Sequence, residues 1–97
     1  MTFVATLRFT PQGIADLRDT CKRADKFKAA AKKMGVKVSD IFWTLGQFDG
    51  LIVFDAPDEE TATAAMLHLG SLGNVQTQIS RAFRASEMKK VLETVAN

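Results

Sequence analysis

A small α+β domain of split βαβ type is what the sequence predicts, and three observations predict it. Two stretches, Met1 to Phe9 and Val75 to Ser80, alternate apolar and polar residues as half-buried strands do. Two others return to an apolar residue every three or four positions, which is the spacing of an amphipathic helix. Between those helices lies a glycine-bearing turn flanked by two apolar runs, the pattern of a hairpin. With 97 residues there is room for one core, so a single domain over residues 1–97 is expected.

The elements follow in order. In the first strand Phe3, Ala5, Leu7 and Phe9 share one side, and Val4, Thr6 and Arg8 the other. Thr10-Pro11 offers a capping hydroxyl and a fixed φ for a first helical turn. Ile14, Leu17, Cys21, Ala24, Phe27, Ala31 and Met34 then predict one continuous helix, closed by Gly35. Val36 to Leu45, β-branched and aromatic, reads as strand two. Gly46 to Gly50 turns the chain, and Leu51 to Phe54 is strand three. Asp58 caps a second helix, with Glu59 and Glu60 in its first turn and Ala62, Ala65, Met66 and Leu69 facing inward. That helix ends at Gly70, the turn Gly70 to Asn74 follows, and strand four begins at Val75. Ser86 is expected to cap a last helix to about Val95, with Met88, Val91, Leu92 and Val95 as its apolar side.

The order βαββαβ plus a C-terminal helix implies a ferredoxin-like fold: a four-stranded antiparallel sheet in the order 4-1-3-2, with both main helices on one face. The opposite face then carries Val4, Thr6, Arg8, Phe42, Thr44, Gln76, Gln78 and Ser80. The apolar third strand adds either Ile52 and Phe54 or Leu51 and Val53. Monomers seldom leave such a patch open, so a homo-oligomer, a dimer packed sheet to sheet, is the expected cover; the C-terminal helix is the rival cover.

Composition removes several function classes. A formal charge of +2 with 25% charged residues does not mark a polyanion binder. The basic residues of the first helix, Arg18, Lys22, Arg23, Lys26, Lys28, Lys32 and Lys33, surround its exposed side without interleaved aromatics, so they read as a solvated face and not as a nucleic-acid surface. No apolar run nears the roughly 18 residues of a membrane span, and Met1 to Phe9 lacks a leader's basic and apolar regions. A single cysteine, Cys21, rules out an internal disulfide and fits a cytoplasmic setting. Cys21 belongs to the apolar stripe, where it reads as a buried, inert thiol. His68 stands alone, so neither a metal site nor another cofactor is expected.

The predicted topology brings both glycine-rich turns and the end of strand one to one rim. Arg8, Trp43, Thr44, Gly46, Phe48, Asp49, Ser71 and Asn74 are the candidate ligand-binding residues there: backbone N–H groups, a cation, a carboxylate and aromatic plates on a rigid scaffold. No catalytic constellation accompanies them. An enzymatic alternative would draw on Arg8, Trp43, Thr44 and Asp49, with Asp49 as base.

The stretch from Trp43 to Phe83, WTLGQFDGLIVFDAPDEETATAAMLHLGSLGNVQTQISRAF, resembles the GYD-domain family, named for a Gly-Tyr-Asp motif in this hairpin. The likeness extends over RFTPQGIADLRDTCKRADKFKAAAKKMGVKV and so over nearly the whole chain. It implies a dimeric α/β-barrel protein of ferredoxin-like fold whose role is largely unassigned. Gln47 separates Gly46 from the aromatic, and Phe48 stands where tyrosine is usual. More distantly, the chain is similar to the effector-binding domain of leucine-responsive (feast/famine) regulators, through Gly46, Phe48, Asp49, Leu51 to Phe54, Asp58 and Gly73-Asn74-Val75. That likeness implies small-molecule sensing. Binding or sensing of a small molecule is the function expected, the alternatives being a cofactor-independent monooxygenase- or isomerase-like enzyme and a structural or partner-docking protein.

Overall fold

In the computed structural model, which describes residues 1–96, the chain forms β1 (Thr2–Phe9), α1 (Pro11–Ala15), a 3₁₀ turn (Leu17–Asp19), α2 (Thr20–Lys33), β2 (Lys37–Trp43), β3 (Gly50–Asp55), α3 (Glu59–Ser71), β4 (Val75–Ala82) and α4 (Ala85–Glu93). The sheet runs β2-β3-β1-β4 with every neighbouring pair antiparallel, which is the ferredoxin-like order expected from the sequence. β1 and β3 are central, each paired on both sides. β2 and β4 are the open edges, β2 with an irregularity between Val38 and Asp40.

Register settles which side of each strand is buried. Phe3 pairs with Phe54 and Ala5 with Ile52, and all four are buried beneath α2 and α3. Phe27 and Ala31 of α2 and Ala62, Ala65 and Met66 of α3 close the core over them. Phe3 and Phe54 stack with ring centroids 5.5 Å apart. Leu51 and Val53 therefore lie on the other face, beside Val4, Thr6 and Phe42, opposite the face on which α2 and α3 pack. The Cα envelope, 52 × 31 × 18 Å, is thin enough for only the two layers.

Three expectations need correction. The helix after β1 is not continuous: α1 ends at Ala15, the chain tightens into the 3₁₀ turn, and α2 starts afresh at Thr20. The break has a visible cause at each side. Thr10 caps α1 through Gly13 N–H (3.1 Å) and also donates to the Gly73 carbonyl (2.6 Å), while Gln12 Nε2 reaches Asn74 Oδ1 (3.1 Å). Arg23, on α2, donates back to the carbonyls of Gly13 and Asp16 and so caps the end of α1. The apolar stripe is split as a result, and Cys21, Ile14 and Leu17 are exposed; Cys21 is not the buried thiol the stripe predicted. Ser86 does not cap the last helix either. Arg84 is its N-cap, with Arg84 N–H donating to Glu87 Oε1 (3.1 Å). Arg81 donates to the other Glu87 oxygen (3.0 Å) and stacks over Phe83. The Arg84 N–H, then the Arg81 guanidinium, hold the Glu87 carboxyl below its ordinary range.

Gly13 sets how closely α1 approaches the turn before β4, because a Cβ there would overlap the Asn74 carbonyl oxygen. Gly70, near the end of α3, faces open space instead. Gly13→Ala is expected to destabilise the fold by about 1 to 3 kcal/mol, while Gly70→Ala stabilises it by about 0.5 kcal/mol or more. Urea unfolding midpoints measure both; equal effects would contradict the close approach.

Candidate functional site

The two glycine-bearing turns meet at the point where β1 leaves the sheet. Asp49 is the residue that joins the hairpin to it. Its N–H donates to the Leu7 carbonyl (2.7 Å), its carbonyl accepts from Thr44 N–H (2.9 Å), and its carboxylate Oδ2 accepts from Phe9 N–H (2.9 Å). Thr44 Oγ1 closes the loop by donating to the Phe48 carbonyl (2.7 Å). Gly46 holds a φ of 141°, outside the range other residues adopt readily, which lets the six-residue loop 44–49 turn back. On the other side Thr10 N–H donates to the Asn74 carbonyl (3.1 Å).

Behind this junction, on the helix side of the sheet, opens a cavity of about 110 Å³. Its wall is apolar: Leu7, Phe27, Ile41, Ile52, Leu69 and Val75. Arg23, Lys26, Trp43, Asp49 and Asn74 supply its polar groups. Trp43, on edge strand β2, is 46% exposed, and its indole N–H donates to Thr20 Oγ1 (3.0 Å) at the start of α2. An apolar pocket with a few convergent polar groups is the usual form of a small-molecule site.

The candidate residues divide between the two sides of the sheet. Trp43, Asp49 and Asn74 line the cavity. Arg8 and Phe48 instead line a larger, more polar pocket of about 390 Å³ on the open face, with Thr6, Gln76 and Gln78. Thr44 and Gly46 shape the hairpin. Ser71 is exposed at the end of α3, its hydroxyl donating to the His68 carbonyl (2.6 Å), and His68 is exposed and away from the cavity. Among the described residues, no group of three His, Cys, Asp or Glu stands close enough to hold a metal ion. None of their helices is long and apolar enough to cross a membrane.

Arg23 and Lys26 were legible only as members of a basic helix face. Their place at the cavity depends on the break before Thr20, for which the apolar periodicity gave no sign. Gly13 in a first helical turn was the available signal, since glycine there is costly unless backbone comes close.

Asp49→Ala removes the acceptor of the Phe9 N–H and is expected to cost about 1.5 to 3 kcal/mol. Asp49→Asn keeps an oxygen there and should cost less than half as much. Urea unfolding, with hydrogen exchange at the Phe9 amide, tests the pair; indifference to both would remove Asp49 as the junction.

The family model for the GYD domain matches residues 3–92. The chain is 30% identical over 88 residues to the glutamine synthetase and cystathionine beta-lyase binding protein of Thermus thermophilus, covering 90% of this chain and 93% of that one. Among solved structures it is similar to 5-chloro-2-hydroxyhydroquinone dehydrochlorinase from Burkholderia phenoliruptrix AC1100, in complex with 2,5-dihydroxybenzoquinone. That likeness has a TM-score of 0.64 and covers 89% of this chain and 97% of the other. At 12% identity it speaks for the fold alone. With the family model spanning nearly its whole length and the ferredoxin-like sheet in place, the chain belongs to the GYD domain family.

Proposed function

We propose that this protein is a small-molecule binding module that works as a dimer, with the ligand seated in the cavity behind the β1 exit. The cavity is the observation that carries the reading. Its wall is continuous with the core, whereas its polar groups come from α2, β2, the hairpin turn and the turn before β4, which converge here. The enzymatic alternative is less well supported. Arg8 lies across the sheet from Trp43 and Asp49, Thr44 is engaged by the Phe48 carbonyl, and Asp49 already accepts from Phe9.

Dimerisation rests on the open face. Val4, Leu51 and Val53 form its centre, Phe42 is 52% exposed at its side, and neither main helix covers it. A second sheet packed there would bury this patch and complete a dimeric α/β-barrel arrangement. A second reading, docking of a larger protein, is favoured by the Thermus relative, a glutamine synthetase and cystathionine beta-lyase binding protein, and by α4, whose Met88, Val91 and Leu92 are exposed on one side, with Val95 just beyond.

Two results are expected. In a screen of small apolar acids, amides, amines and ring compounds, at least one class raises the melting temperature saturably, and Ala24→Leu, which fills the cavity from α2, abolishes the shift. Failure of every class would overturn the binding reading, and retention on immobilised glutamine synthetase in that case would establish docking instead. In sedimentation at micromolar concentration the protein runs as a dimer, and Val53→Glu converts it to a folded monomer; a monomeric unmodified protein would overturn the sheet-to-sheet arrangement.

A further inference from the structure

We infer that the cavity takes a small carboxylic acid with an apolar, branched or single-ring body, its carboxylate held by Arg23 and Lys26. The inference rests on the cavity reading above and narrows it to one chemical class. The size sets the body: a dry cavity of about 150 Å³ accepts benzene, so one of about 110 Å³ admits a branched chain or a ring that projects partly outward. The wall sets its polarity. Leu7, Phe27, Ile41, Ile52, Leu69 and Val75 offer no hydrogen-bond partner from their side chains, so a hydroxylated or charged body would lose its hydration without replacement.

The charge of the head group follows from the ions around it. Arg23 and Lys26 are three residues apart on α2, on one side of the helix, and both line the cavity. Among the described residues the ion pairs are Arg81–Glu87 and Arg84–Asp55, so neither cation has a carboxylate partner. Arg23 is fixed in place by the Gly13 and Asp16 carbonyls, which use two of its five N–H donors and leave the rest for a ligand. Asp49 is the one carboxylate in the lining, and its Oδ2 already accepts the Phe9 N–H. Two unpaired cations against one engaged carboxylate favour an anion over an amine, and a guanidinium held by backbone carbonyls is suited to a carboxylate.

The test uses the full chain and the single indole, Trp43, whose Nε1–H resonance reports on the cavity mouth. The probes are 4-methylpentanoate, 4-methylpentanamide and 3-methylbutylamine, which carry similar apolar bodies with anionic, neutral and cationic heads. The acid is expected to shift the Trp43 resonance saturably and to bind at least tenfold more tightly than the amide, with the amine weakest. Lys26→Gln, on an exposed helix position, lowers the acid's affinity at least fivefold and leaves the amide's unchanged. Equal affinity for acid and amide, or preference for the amine, would overturn the carboxylate assignment while leaving the cavity as a binding site. No saturable shift with any of the three, with no thermal stabilisation by any of them, would overturn both.

Discussion

Everything distinctive in this molecule depends on how β1 leaves the sheet. Phe9 and Thr10 are held from two sides, by the Asp49 carboxylate on the hairpin and by the Gly73 and Asn74 carbonyls before β4. These bonds join segments about 40 and about 64 residues apart in sequence, so they fix the relative positions of strands that the ladder alone would hold only in register. The same anchoring dictates the short α1. With Gly13 drawn against the Asn74 carbonyl, the helix cannot continue straight along the sheet, and it stops after five residues. α2 resumes at Thr20, where Trp43 meets it from the edge strand, and the cavity lies between these supports.

The fold was largely legible because its signals are local. Alternation in β1, Gly-bearing turns, the Asp58 cap and the three-four spacing in α3 each specify a conformation within a few residues, and each appears where the pattern placed it. Leu51 to Phe54 is different. A fully apolar run carries no period, and only the pairing of Ile52 with Ala5 decided which side is buried. The helix break was hidden for a related reason: its causes, Gly73, Asn74 and Arg23, act across space, whereas periodicity sees only neighbours along the chain. The candidate site shared this fate. Its rim was visible in the topology, but the division of the rim between two faces was not.

That division clarifies the aromatic of the hairpin motif. Phe48 and Asp49 are adjacent, and their side chains part: Asp49 lines the cavity, while Phe48 lines the polar pocket beside Thr6, Arg8, Gln76 and Gln78. A tyrosine at position 48 would thus place its hydroxyl on the open sheet face, away from the apolar wall. Phenylalanine at this position takes nothing from the cavity, whose lining does not include Phe48. Motif letters that look like one unit in sequence serve two separate surfaces.

The unpaired apolar surface argues in the same direction. A 97-residue domain buries a modest share of its apolar groups, and here Phe42, Phe83, Met88, Leu92 and Val95 remain substantially exposed. α4 is anchored at its base by Arg81, Glu87 and Arg84, but beyond that its apolar side chains extend from the body. The base is tied by these bonds and the tip is uncovered, so the helix is oriented by its own chain. The chain holds its core by packing α2 and α3 on the sheet, ties the cavity's edge at the β1 junction, and leaves two apolar surfaces uncovered, one flat and one helical. Because the cavity lies beneath the sheet and the flat surface lies above it, β1 and β3 form the wall of one and the floor of the other. In the proposed dimer, any shift of those strands would change the shape of the cavity, and a ligand favouring one shape would favour one state of assembly by the same free energy.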